Sequence, residues 1–246
     1  MKKIQWQILL GIILAVLSAI LYTAHYFIFR DSFHIFIYLL GDIAFLPIEV
    51  LLVTLIIDRV LSVREKKAML DKLNMVIGAF FSEVGLGLIH LFAGFDLNAQ
   101  NIKKELSGIE KWTEKDFIRV SSMVNKFKYS VNSHAGDILQ LKTFLVQRRG
   151  FLLRLLENPN LLEHEKFTEL LWAVFHLTEE LDYRKDFSLS PESDYTHISG
   201  DIKRAYVLLI SEWLTYIKHL KKNYPYLYSL AARMNPFDDE ASPVIR

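Results

Sequence analysis

The sequence predicts an all-α protein: an N-terminal transmembrane helical hairpin, then a long stalk helix, then a cytoplasmic antiparallel helical bundle. Three observations carry this reading. Two apolar stretches, Ile4–Phe29 and Phe33–Ile57, each exceed the roughly 20 residues a helix needs to cross a hydrocarbon core of about 30 Å. Only Arg30, Asp31 and Ser32 separate them, which leaves room for a tight reversal and nothing else. Beyond Ile57 apolar residues recur at helical spacing, and no alternating strand pattern competes with them. The expected organisation is a hairpin over 1–58 (spans at about 4–29 and 33–57), a stalk helix over 59–95, a helical bundle over 96–234 and a tail over 235–246.

Orientation follows from the cations beside the spans. Lys2 and Lys3 precede the first, Arg59, Arg64, Lys66 and Lys67 follow the second, and the connector holds only Arg30. The positive-inside rule then puts both termini in the cytoplasm of a multi-pass protein of the inner or plasma membrane. Trp6 suits the inner interface, and Tyr22, Tyr26 and Tyr38 suit the outer one. A cleaved signal peptide fits poorly. The apolar stretch is too long for an h-region, and Leu21-Tyr22-Thr23-Ala24-His25 offers no small-x-small cleavage site.

The stalk carries Val63, Leu70, Ile77, Val84 and Leu91 at heptad spacing, with Leu73 and Phe80 between them. Such a stripe serves either a coiled-coil seam or a helix packed on its own domain. Val76–Phe95 has the length of a third span, but Glu83 and His90 interrupt it. A third crossing would also export Lys103, Lys104, Lys111 and Lys115. A third span or a membrane-surface segment is the lesser reading of this stretch, and Glu83 with His90 is read as a buried polar pair or an exposed face.

Further along, Thr113-Glu114-Lys115-Asp116 forms a capping-box pattern opening a helix to about Tyr129. A helix from about Asp137 to Glu157 stops at Asn158-Pro159. Asn160-Leu161-Leu162-Glu163 offers the cap for a helix to about Arg184, whose stripe is Phe167, Leu170, Leu171, Val174, Leu177 and Leu181. Ser188–Thr196 reads as a polar loop, and Ser199 as the cap of a last long helix. Its expected buried face is Ile202, Tyr206, Leu209, Trp213, Ile217 and Leu220.

Asp42 and Glu49 are the unusual residues of the second span. They lie two turns apart on nearly one face, Asp42 about 13 Å from the outer end and Glu49 about 10 Å deeper. A charged carboxylate there costs several kcal/mol, so these acids need shielding. Pro47 between them frees the Ile43 carbonyl. Gly11, Ala15, Ser18 and Ala19 on the first helix give small-xxx-small spacing, and Ser18 reaches the depth of Asp42. Two readings follow. The acids hydrogen-bond helices or subunits together, or they line a proton or cation path. A two-helix monomer shields them poorly in either case, so a homo-oligomer is expected.

The remaining chemistry is sparse. With no Cys among 246 residues, disulfides, thiolate ligands and cysteine nucleophiles are excluded. A net charge of +1 gives no footing for bulk nucleic-acid binding. Gly85-Leu86-Gly87 follows no strand and lacks a third glycine, and no phosphate loop, nucleophile elbow or kinase signature occurs. His176 with Glu179 and Glu180, one heptad after Glu169, has ligand-like spacing but lies opposite the apolar stripe, the place of a solvated face. No second helix with a matching histidine–carboxylate pair is read, so no metal, cofactor or catalytic residue is expected. His134 and Asp137 lie around a helix start, where capping is the expected role and a pair between them the alternative. Lys142, Arg148, Arg149 and Arg154 form a basic surface suited to water or to anionic lipid heads.

The segment Gly41-Asp42-Ile43-Ala44-Phe45-Leu46-Pro47-Ile48-Glu49-Val50-Leu51-Leu52-Val53-Thr54-Leu55-Ile56-Ile57 resembles the second span of a family of uncharacterised prokaryotic integral membrane proteins. Asn74–Gly85 and the stretch from Tyr224-Pro225-Tyr226-Leu227 to Asn235-Pro236-Phe237 are similar to other parts of it. The resemblance implies two spans and no reaction, cofactor or partner. The function expected from the residues is a non-enzymatic oligomeric membrane adaptor or signalling module, with the lipid bilayer and a cytoplasmic protein as partners. A small channel or transporter subunit using Asp42 and Glu49 is the alternative, and a membrane-anchored metal-dependent hydrolase using His176, Glu179 and Glu180 is a third.

Overall fold

The computed structural model describes residues 2–159, 161 and 164–244. Within its helices the side chains of 2–5, 7, 66–68, 70 and 71 lie outside that description, and with them the expected roles of Lys2, Lys3, Lys66, Lys67 and Leu70. The chain forms two compact units, Met1–Lys67 and Ala68–Arg246. No strand forms among the described residues, where a single antiparallel bridge joins Asp96 to Val131.

The first unit holds α1 (Lys2–Phe29) and the leading part of α2 (Ser32–Phe80). Between them Arg30 takes a left-handed backbone with φ 51°, and its N–H donates to the Tyr26 carbonyl at 2.8 Å. Asp31 then accepts from the N–H groups of Phe33 and His34 at 2.9 and 3.1 Å, satisfying donors that a helix start leaves open. The rings of His25 and His34 stack 6.0 Å apart, so the chain doubles back at this turn. Pro47 sits inside α2 without ending it. Almost every side chain of this unit is exposed, including Ile12, Leu17, Phe33, Phe45 and Ile56.

The second unit adds a π-helical turn, Phe81–Gly85, then α3 (Leu86–Ala93), α4 (Ala99–Leu106), α5 (Glu114–Lys126), α6 (Ile138–Leu156), α7 (Glu165–Tyr183), α8 (Glu192–Asn223) and α9 (Pro225–Arg233). Its core is built along α8, which packs against α3, α5, α7 and α9. The six residues read from sequence as the buried face of the last long helix are all buried, as is the whole α7 stripe. The capping box at Thr113 forms with Asp116, and Asp137 caps α6 by accepting from the Gln140 N–H at 2.9 Å.

The stretch expected as a stalk behaves differently. Leu73, Ile77, Phe80, Phe81, Val84, Leu88, Ile89, Phe92 and Phe95 are buried in the core of the second unit. Phe80 meets Phe167 edge-on at 5.2 Å, Phe81 stacks on Tyr216 at 5.2 Å, and Phe92 meets Tyr206 at 5.9 Å. The heptad stripe from Leu73 onward therefore packs on its own domain, while Val63 is exposed. The Val76–Phe95 stretch thus packs part of its apolar surface within its own unit. Glu83 and His90 are both exposed and do not form a buried pair. In the π-turn the Glu83 carbonyl accepts from Arg148 Nε at 2.8 Å.

Three boundaries differ from the sequence reading. Helix α5 ends at Lys126 rather than near Tyr129. Helix α8 begins at Glu192, so 192–196 is helix rather than loop: Pro191 sets the entry, and Glu192 and Asp194 complement the positive end. Ser199 is interior to that helix, its hydroxyl donating to the Tyr195 carbonyl at 2.8 Å and accepting from the Ser133 N–H at 2.9 Å. Helix α7 is capped by His164, whose Nδ1 accepts from the Phe167 N–H at 3.2 Å. The expected cap at Asn160-Leu161-Leu162-Glu163 falls on residues of which only Leu161 is described.

The expected tail is also attached. Asn235 is buried and donates to the Leu106 carbonyl at 2.8 Å, and Phe237 packs against Trp213 at 5.1 Å. Close packing extends to Gly136, where a Cβ would lie 2.7 Å from the buried ring of Phe95. Gly136→Ala should therefore cost about 1–3 kcal/mol in urea unfolding of the detergent-solubilised protein, an overpacking penalty, whereas Phe167→Ala should cost about 3–5 kcal/mol by leaving a cavity.

Candidate functional site

The residues singled out in the second apolar stretch are placed apart from one another. Asp42 lines a groove of about 530 Å³ between α1 and α2, together with Ser18, Tyr22, His25 and Tyr38. Ser18 and Asp42 thus line the same groove. Pro47 and Glu49 are exposed and do not line this groove. Of the small residues, Ala19 lines a different groove beside Thr23 and Phe27, and a Cβ at Gly11 would meet nothing within 4 Å. Ala15 is exposed.

A second constellation lies where α7 packs on α8. Each helix contributes a histidine followed four residues later by a carboxylate: His176 and Glu180 on α7, His197 and Asp201 on α8. The i, i+4 spacing stacks each pair on one helical face. Asp201 is 3% exposed, and its Oδ2 lies 3.4 Å from His176 Nε2 and 3.3 Å from His197 Nε2 without a hydrogen-bond partner. Its Oδ1 lies 3.3 Å from Arg204 Nη1. Glu180 Oε1 is 4.0 Å from His176 Nε2, and Glu180 Oε2 is 3.8 Å from His197 Nε2. Nitrogen and oxygen donors of His176, Glu180 and His197 lie within 4.8 Å of one another.

The sequence reading put His176 on a solvated face opposite the apolar stripe; its side chain is 45% exposed, but it lies 3.4 Å from buried Asp201, and the reading missed this counterpart. His197 and Asp201 do form the matching helix pair, hidden in sequence because 192–196 was read as loop. Glu179 does not join the cluster; it pairs with Arg149 at 2.6 Å. His134 does not pair with Asp137 but lies 3.1 Å from Glu192 and stacks on Tyr195 at 4.0 Å. The expected basic surface is largely committed within the domain. Arg148 holds the π-turn, Arg149 holds Glu179, and Lys142 donates to the Arg184 carbonyl at 2.5 Å.

Arg184 organises the edge of the cluster. It grips Asp194 of α8 through Nε and Nη2, at 2.9 and 2.7 Å, and Glu180 of α7 through Nη1 at 2.6 Å. That guanidinium holds the Glu180 carboxyl below its usual range and brings Asp194 down to about 2.

An all-helical protein in two units, with a histidine–carboxylate cluster in the second, is the class these features define. The chain belongs to the MJ1433 family. Residues 69–233 match the family described as "Uncharacterized protein MJ1433, C-terminal helical domain", and residues 2–61 match "MJ1433, N-terminal helical domain". The sequence is 45% identical over 241 residues to "Uncharacterized protein MJ1433" of Methanocaldococcus jannaschii, covering 98% of this chain and 97% of that relative. No solved structure matches. The two family matches meet on either side of the boundary at Lys67 that the packing defines.

The depressed acidity of Asp194 fixes a sign for pH dependence. Its charge stabilises the fold above the unfolded carboxyl value near 4, and this contribution fades as pH falls toward 2. Asp194→Asn should lower stability by about 1 kcal/mol at neutral pH, modest because the pair is partly solvated. The difference from the parent should narrow steadily below about pH 4 in urea titrations.

Proposed function

We propose that this is an integral protein of the cell membrane in which 4–29 and 33–57 cross the bilayer as a hairpin. The helical domain beyond it is cytoplasmic and acts as a non-enzymatic adaptor or signalling module. The observation that supports this most is the exposure of the first unit. The apolar windows within Ile8–Phe29 and Ser32–Glu65 are 0% buried, with Ile28 and Phe33 each 72% exposed. Leaving such side chains in water forfeits about 1.5–3 kcal/mol each, which a hydrocarbon environment returns. A third apolar segment, Lys72–Ala93, is 44% buried within its own unit, and this favours two spans over three.

The cations flanking the hairpin support a cytoplasmic placement of both ends. Asp42 and Glu49, exposed on the hairpin, support a homo-oligomer in which a second copy shields them. An adaptor role draws on the exposed apolar side chains Met75, Tyr226, Leu227 and Leu230, of which Met75, Tyr226 and Leu227 flank a groove of about 360 Å³. Such a groove suits a protein partner's apolar side chains.

Two measurements check the proposal. After alkaline carbonate extraction the protein should stay with the membrane pellet; release into the supernatant would overturn the hairpin. Native mass spectrometry from mild detergent should show more than one copy, and Asp42→Leu should shift that distribution. A strict monomer at every concentration would remove the oligomer.

A further inference from the structure

We propose that the α7–α8 cluster is a binding site for a divalent first-row transition ion of the zinc type. His176 Nε2, His197 Nε2 and Asp201 Oδ2 would be its ligands, with Glu180 at the fourth position. The inference concerns the second unit alone and does not rest on the membrane reading.

The geometry carries it first. Donors around a tetrahedral zinc at about 2.0–2.1 Å are separated by about 3.3–3.4 Å. Asp201 Oδ2 lies 3.4 and 3.3 Å from the two histidine nitrogens, the edge lengths of such a tetrahedron. Glu180 stands at 4.0 and 3.8 Å from the same nitrogens, within reach of a small side-chain rotation.

Burial supplies the second, independent observation. A carboxylate taken out of water costs several kcal/mol unless it is compensated. Asp201 is 3% exposed, and its Oδ2, aimed at the histidines, has no hydrogen-bond partner. A cation at the centre would coordinate that oxygen and offset its charge. Arg204 faces the other oxygen of Asp201, and Arg184 fixes Glu180 by one oxygen, in the manner of outer partners that orient metal ligands.

The donor set selects the ion. Two imidazoles with two carboxylates suit zinc, cobalt or nickel; magnesium and calcium prefer all-oxygen shells. Two carboxylates also cancel the charge of a divalent ion. The histidine side chains are 45% and 52% exposed, so the ion has an open path from solvent and can exchange.

The test uses the full-length protein in detergent, stripped with a chelator and dialysed. It is titrated with Zn²⁺ against a chromophoric competitor, and separately with Co²⁺ while the visible d–d bands are followed. One ion per chain is expected, with the intense cobalt absorption of a four-coordinate site. His176→Ala and His197→Ala should each weaken binding at least about 100-fold, more than loss of an outer partner does. Both positions are half-exposed, so the helices should keep their circular dichroism. His134→Ala, beside Glu192 and away from the cluster, should bind as the parent does. Zn²⁺ should raise the Tm of the parent and leave that of His197→Ala unchanged. Absence of binding at micromolar free Zn²⁺, or parental affinity in both histidine variants, would overturn the site.

Discussion

Burial along one face of α8 governs the second unit. Ile198, Ile202, Leu209, Trp213 and Ile217 recur at helical spacing, and α3, α5, α7 and α9 all pack against this helix. Once that face is committed, the register of α7 against α8 has no freedom left, because the α7 stripe must meet it. The polar residues at the rim inherit their positions from this apolar choice. His176 and Glu180 come to face His197 and Asp201 where α7 packs on α8, with Val174, Leu177, Leu181, Ile198 and Ile202 all buried. The cluster is held by this packing together with Arg184, which bridges Glu180 and Asp194.

Much of this was legible in the sequence. The α7 and α8 stripes were readable because a long 3.6-residue period is a strong signal. The capping box at Thr113 was legible for the same reason: it is local chemistry. What escaped was set by tertiary contact. The Leu73–Phe95 segment buries Leu73, Ile77, Phe80, Val84, Leu88 and Phe92 in its own unit, and composition alone does not separate core-packing helices from membrane-facing ones. Ser199 resembled a cap, yet its hydroxyl serves Ser133, far away in the chain. The Asn235–Phe237 contacts join residues more than twenty apart, which no local pattern reports.

The site shows the same limit. His176 with Glu180 was visible as a spacing, and His197 with Asp201 has the same spacing. Reading 192–196 as a loop concealed the second pair, because the early start of α8 depends on Pro191 and on the acidic first turn. The Glu179 alternative was removed by Arg149, a partner on another helix. For Asp42 the sequence suggested Ser18 as a neighbour, and both line the groove between α1 and α2.

The anchoring of Asn235 to Leu106 spans 129 residues of chain, and Phe237 closes over Trp213 from the same segment. Two distant stretches of chain are thus latched by one short segment: without residues 235–237 the indole of Trp213 would lose its ring neighbour and the Leu106 carbonyl its side-chain donor.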